Sequence, residues 1–376
     1  METTIVDRPP PSSLRVERAT CLALFAFDVA PYIDLQDCEQ RIASATHRQK
    51  ITKRRRALEY FEYRPAPLVI SLKADPISVG EHPTQPAAEV VIYDFGAVTV
   101  TYAIPFAGSL LDLIGLAGDI HDNESLPDEA RRLVAALGGV LTGGRGAPAI
   151  ADIVEDYVIF HVAQFADAID PTDLLTTYSS PVARILRAES ESISEQEARD
   201  AVALNIAFGK WDLAVLDWNA VLLYGREVDD LRTVIEFANV QLLEMRFLDR
   251  QLDAALEESY ALLSQRGENW RAKLRSYRRD VRKIARLQVD GAILFERVSN
   301  ALKVFGEEYL SRVYGLTARR LQLAAWDASA LRKLGTLESI YQKLTDEASA
   351  RRLEILEWII VILIAVSIAL PFIFIT

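Results

Sequence analysis

The first half of the chain alternates short apolar runs with turn residues, and the second half does not. Residues 19–29 (ATCLALFAFDV) form an apolar run of β character. Residues 34–48 carry helical spacing, with Asp34 as a candidate cap. Residues 68–72 are short and apolar. Residues 89–93 and 97–103 are β-rich and flank Asp94-Phe95-Gly96, which predicts a hairpin. Residues 109–120 and 127–137 predict helices, and residues 153–162 (IVEDYVIFHV) predict a further strand. The order β-α-β-β-β-α-α-β implies one sheet with helices on one face.

From about Pro171 helical periodicity takes over and no strand is predicted. Leu231, Ile235, Ala238, Leu242, Met245, Leu248, Leu252 and Leu256 recur at a spacing between a straight helix and a coiled coil. Leu331, Leu334, Leu337, Tyr341, Leu344 and Ala348 continue the pattern, without an intervening proline, into a terminal apolar run. Residues 358–376 (WIIVILIAVSIALPFIFIT) contain no charge. A run of about 20 apolar residues can cross a hydrocarbon core of about 30 Å as a helix, the form that pairs every backbone group internally. The expected organisation is α+β: a lead-in at 1–18, a mixed sheet-and-helix domain at 19–170, a long-helix antiparallel domain at 171–350, and one C-terminal transmembrane helix at 351–376. Arg351 and Arg352 precede the apolar run and Trp358 sits at the expected headgroup level. By the positive-inside rule the body faces the cytoplasm. The chain reads as a tail-anchored protein.

Composition adds bounds. The 376 residues carry a net charge of −11, which disfavours nucleic-acid binding over the whole surface but permits a local basic patch. Cys21 and Cys38 have no metal-ligand spacing and fit a reducing compartment. The N-terminal segment has no apolar core and carries acids, so neither a signal nor a transit peptide is predicted.

The most distinctive polar segment is residues 271–286, RAKLRSYRRDVRKIAR. Arg271, Arg275, Arg278, Arg279, Arg282 and Arg286 fall along one side of a helix. Such a face can hold phosphate backbones, anionic headgroups or an acidic partner. The competing account pairs it with acids of the same chain, such as Glu244, Asp253, Glu257 and Glu258. Lys53, Arg54, Arg55 and Arg56 read as a solvated loop or helix end. The glycine cluster at 138–146 lacks the Lys-Ser/Thr of a Walker loop and reads as a helix-to-strand connection. His47, His82, His121 and His161 are scattered, and no catalytic, metal or cofactor constellation is visible in the spacing.

Three segments carry a family likeness: VIYDFGAV at 91–98, LEMRFLDRQLD at 243–253 and RRLEILEWIIVILIAVSI at 351–368. Together they resemble the family named for being required for meiotic nuclear division, also called the YagE or sporulation-Rmd domain family. The chain departs from that family at Thr99, Thr101, Tyr102 and Ser367. The resemblance implies a single-pass, C-terminally anchored protein that forms homo-oligomers. Mitochondrial relatives support translation by organelle ribosomes, and no catalytic residue carries over. A non-enzymatic scaffold at the inner membrane of a prokaryote is the expected function, with membrane, a second copy and a ribosome or RNA as partners and no small-molecule substrate. A CorA-like transport layout and an enzyme with an unrecognised site are the rival readings. The first lacks a second membrane helix and a Gly-Met-Asn turn.

Overall fold

A computed structural model of the protein describes residues 14–45, 51–55, 65–144, 146, 148–264, 286, 289 and 308–373. These fall into two compact units, one within Met1–Phe247 and Glu296–Trp326, the other within Leu248–Phe295 and Asp327–Thr376.

The first unit is organised by β1 (Arg15–Asp28). Its residues are apolar on both parities: Cys21, Ala23, Phe25 and Phe27 join one buried cluster, and Leu24 and Ala26 join another. A strand buried on both faces reads as a continuous apolar run rather than an alternation. β1 pairs antiparallel with β7 (Ala97–Ser109) on one side and β8 (Val154–Phe165) on the other. Outward from β7 come β6 (Ala87–Ile92), β3 (Leu68–Lys73) and β2 (Ile51–Arg55). Outward from β8 come β11 (Ala220–Tyr224), β10 (Leu213–Leu216) and β9 (Asn205–Ile206), completing a nine-stranded sheet. The pairing of β8 with β11 is parallel and all the others are antiparallel, so the sheet is mixed. β4 (Ser78–Val79) and β5 (His82–Pro83) form a separate small ribbon.

Helices cover both faces. The first cluster packs α1 (Leu35–Ala45), α2 (Leu110–His121), α3 (Ser125–Ala136) and α6 (Ser179–Arg187) against the sheet, with the short α4 (Gly138–Leu141) and α5 (Pro171–Thr176) at its margin. α7 (Glu195–Ala201) packs on α6 through Ala183, Ala198 and Ala201. The second cluster packs the first part of α8 (Asp229–Ser264) and α9 (Glu308–Arg320) on the other face. Local signals explain several starts. The Asp34 carboxylate accepts from the Gln36 and Asp37 amides at 3.0 and 3.1 Å, and Ser109 and Asp112 form a reciprocal capping box on α2.

In the second unit the later part of α8 packs on α10 (Leu323–Ile373). Leu248, Leu252 and Ala255 meet Ala330 and Leu337, and Lys333 reaches Asp249 and Asp253 at 2.7 and 2.6 Å.

Four expectations change. β9, β10 and β11 lie in the region read as purely helical, so the sheet does not end at residue 170. These strands are short and apolar on both parities, which periodicity alone does not distinguish from buried helix. Helices occupy both sheet faces rather than one, as the double-sided apolar character of β1 requires. Lys53, Arg54 and Arg55 lie in the edge strand β2, where charge discourages pairing with another chain. Finally, among the described residues no helix is long and apolar enough to cross a membrane. The expected anchor lies partly outside them: the α10 backbone is described to Ile373, and the side chains only to Ile364.

The β6–β7 hairpin turns at Gly96, whose φ is +108°. A Cβ there would lie 1.5 Å from the Ala30 carbonyl oxygen. Gly96→Ala is therefore expected to cost about 3 kcal/mol, lowering the thermal midpoint by roughly 5 °C. Gly115, exposed within α2 with nothing within 4 Å of its Cβ position, is the control. Gly115→Ala should stabilise by about 0.5–1 kcal/mol. Equal effects of the two substitutions in a thermal melt would refute this account of the turn.

Candidate functional site

Residues Val234 to Met245 of α8 are buried on every side of the helix. Most are apolar, but Glu236, Asn239, Gln241 and Glu244 are among them, at 5, 0, 2 and 1 % exposure. A buried polar group needs a partner, and a buried charge needs one more strongly. Several are matched across the sheet. Arg232 pairs with Glu89 on β6, Thr99 Oγ1 on β7 donates to Glu236 at 2.5 Å, and Arg246 pairs with Glu155 on β8. On the helix's other side the Tyr314 hydroxyl of α9 donates to Gln241. α8 thus crosses the sheet diagonally from β6 to β8 along a polar seam.

The seam holds more acid than base. Asp28, at the end of β1, and Glu244 feel each other's charge, and neither forms an ion pair among the described residues. Burial pushes Asp28 up to about 7. Burial, with the charge of Asp28 added, raises Glu244 well above the usual carboxylate range. Burial and mutual repulsion both favour the protonated forms of this pair. Burial also lifts Glu155 to about 7, outweighing the attraction of Arg246. Among the described residues, Glu244 Oε1, both amide atoms of Asn239 and Thr101 Oγ1 have no hydrogen-bond partner.

A second polar centre ties α6 and α9 to the sheet. Asp217, 1 % exposed at the end of β10, accepts from Arg320 Nε at 2.8 Å and Arg187 Nε at 3.0 Å. The Tyr157 hydroxyl donates to the Asp217 and Ala220 carbonyls at 2.9 and 3.0 Å. Beside this centre, on the α2–α6 face, lies a cleft of about 280 Å³ with a floor of β1 and β8 side chains.

The residues singled out in the sequence fare differently. Arg271, Arg275, Arg278, Arg279 and Arg282 lie outside the described residues, whereas Arg286 is helical and exposed. Arg351 and Arg352 are helical in backbone, with side chains outside the described set, and Trp358 is 63 % exposed. Glu244 is corrected: it is buried against β1 and is not a surface partner for the basic segment. Asp253 already meets Lys333. His161 lies inside β8 rather than at its end, and its Nε2 is 2.8 Å from the Gly225 carbonyl. Both cysteines are buried, with burial raising Cys38 to about 11 and Cys21 further. No group of three His, Cys, Asp or Glu among the described residues is arranged to hold a metal ion.

The seam makes a signed pH prediction. The folded chain keeps protons that the unfolded chain releases, since Asp28 moves from 3.8 to about 7 and Glu155 from 4.5 to about 7. The folded state binds more protons, so stability falls as pH rises from about 4 to 7. Glu244→Gln removes the need to hold a proton. It is expected to raise the thermal midpoint by about 3 °C at pH 8 and to have almost no effect at pH 4. A midpoint gap independent of pH would rule out the raised affinity of Glu244 for its proton.

A family model described as "Uncharacterized protein MJ0711, N-terminal domain" matches residues 18–230, more than half of the chain. The match spans the strands of the main sheet and stops as α8 begins. The protein "Uncharacterized protein MJ0711" of Methanocaldococcus jannaschii is 22 % identical over 194 residues, covering 50 % of this chain and 56 % of that protein. The chain therefore spans about half the length of this curated relative. No solved structure matches. Neither finding bears on the likeness to the YagE/Rmd family. With the match running from β1 to the start of α8, the chain belongs to the MJ0711 N-terminal domain family.

Proposed function

We propose that the protein is a membrane-anchored, non-enzymatic scaffold whose sheet domain serves as the cytoplasmic body. One observation carries this reading. From Trp358 to Ile364 every residue of α10 is a large apolar side chain and every one is exposed, between 47 and 63 %. Seven consecutive residues cover all sides of a helix at 3.6 residues per turn. A helix apolar on all sides belongs inside a protein core or a bilayer. The helix backbone continues to Ile373 through a sequence with no charge, and the likeness of residues 351–368 to the YagE/Rmd family supports the same placement. Arg351, Arg352 and Trp358 are the interfacial residues, and the inner membrane of a prokaryote is the membrane proposed.

The native full-length chain is expected to stay in the membrane pellet after an alkaline carbonate wash. Ile362→Arg, at about 2.5–3.5 kcal/mol for an arginine at a helix centre, should move much of it to the supernatant. A native chain that washes off, or that remains soluble as an oligomer without detergent, would defeat the anchoring reading.

The partner contact assigned to this scaffold is the basic segment with Arg271, Arg275, Arg278, Arg279, Arg282 and Arg286, with a ribosome or RNA as the binding target and homo-oligomers formed through the long helices. Phosphate contacts release counterions and make binding salt-dependent. Reversing Arg275, Arg278, Arg279 and Arg282 to Glu should abolish salt-sensitive co-sedimentation with RNA. Co-sedimentation unchanged by both the reversal and the salt would remove the basic segment from the proposal.

A further inference from the structure

The cleft on the α2–α6 face has a use of its own, independent of membrane anchoring. Its volume of about 280 Å³ equals roughly nine water volumes at about 30 Å³ each, the bulk of a molecule with nine or ten non-hydrogen atoms. The floor is apolar and rigid: Ala23 and Phe25 from β1 and Phe160 from β8, all buried within the sheet. Ala23 keeps the hollow open, since a larger residue at that position would fill it. Polar groups share the lining with this floor. Asp156, directly opposite Phe25 in the β1–β8 register, is exposed and forms no ion pair among the described residues.

The arginine at the cleft is already engaged. Arg187 lines the cleft, but its guanidinium is shared by Glu197, Asp200 and Asp217. The acids around it outnumber it, so no cationic charge remains for an anionic ligand. α2 ends at His121 and α6 ends at Arg187, and both residues line the cleft. Helix C-termini carry the negative end of the helix dipole, which favours a cation nearby. A hydrophobic hollow with a free carboxylate and two helix C-termini at its rim recognises a cation attached to an apolar body.

We propose that this cleft is a binding site for a small organic cation, an aromatic or aliphatic primary amine whose apolar body rests on Phe25 and Phe160 and whose ammonium group meets Asp156. The proposal is tested on the full-length protein in detergent by calorimetric titration with three probes of one shape: phenethylamine, phenethyl alcohol and phenylacetate. The amine is expected to saturate one site and to bind at least tenfold more tightly than the alcohol, with no detectable binding of the acid. Asp156→Asn, an exposed substitution that preserves shape, should reduce amine affinity about tenfold, to the level of the alcohol, and leave the alcohol unaffected. Three probes of equal affinity, an unsaturable amine isotherm, or amine binding unchanged by Asp156→Asn would each overturn the assignment. None of these outcomes depends on whether residues 358–376 enter a membrane.

Discussion

The first unit depends on one constraint: β1 is apolar on both faces and must be covered twice. A strand at the centre of a nine-stranded sheet has its backbone groups paired on both sides, so its remaining exposure is through its two faces. Phe25 and Phe27 on one face and Leu24 and Ala26 on the other remove any polar face that solvent could occupy. The helices of the first half supply one cover. The other comes from α8 and α9, and α9 begins about 280 residues after β1 ends. The family match ends at residue 230, before either of these helices is complete. The matched region thus leaves a sheet face that the rest of this chain must bury.

That cover is unusual in chemistry. A purely apolar helix would bury the face at lower desolvation cost, because buried ion pairs only offset the loss of water when every group is matched. α8 instead carries Arg232, Glu236, Asn239, Glu244 and Arg246, and most of these find a counterpart on a different strand. Each pairing fixes the helix at one point along its length. Glu89, Thr99 and Glu155 lie on β6, β7 and β8, so sliding α8 by one turn would strand several charges at once. The seam specifies register where apolar contacts alone tolerate shifts. The acids left without an ion pair among the described residues, Asp28 and Glu244, are pushed toward their protonated forms by burial.

Much of the sheet was legible in the sequence because its signals are local. Asp34, Ser109 and Gly96 each act within a few residues, through a cap or a turn, and each sits at the boundary expected of it. The strands after residue 200 were not legible. Leu213–Leu216 and Ala220–Tyr224 have no alternation because they are buried on both sides, and a short apolar run has the same appearance in a helix. The polar seam was hidden for the opposite reason. Glu236 and Glu244 resemble the solvent-facing positions of an amphipathic helix, and only the sheet opposite reveals them as buried. The one available signal was β1 itself, whose double-sided apolar character already calls for a second layer.

α8 shows how the same periodicity can serve two environments. From Val234 to Met245 the helix is buried on all sides, and its polar residues answer to the sheet and to α9. From Leu248 onward only a stripe is buried, Leu248, Leu252 and Ala255, while Asp249 and Asp253 meet a lysine near the surface. Leucine spacing is continuous through both parts, so spacing alone does not mark the change. What changes is the state of the acids. Asp249 and Asp253 accept hydrogen bonds from Lys333 and favour its protonated form. Burial raises Glu244, five residues before Asp249, well above the usual carboxylate range. An acidic residue on this helix therefore meets a cation near the surface or lies buried without one, according to what lies opposite it. The exposed carboxylate of Asp156 lies on the opposite face of the sheet and meets no cation among the described residues.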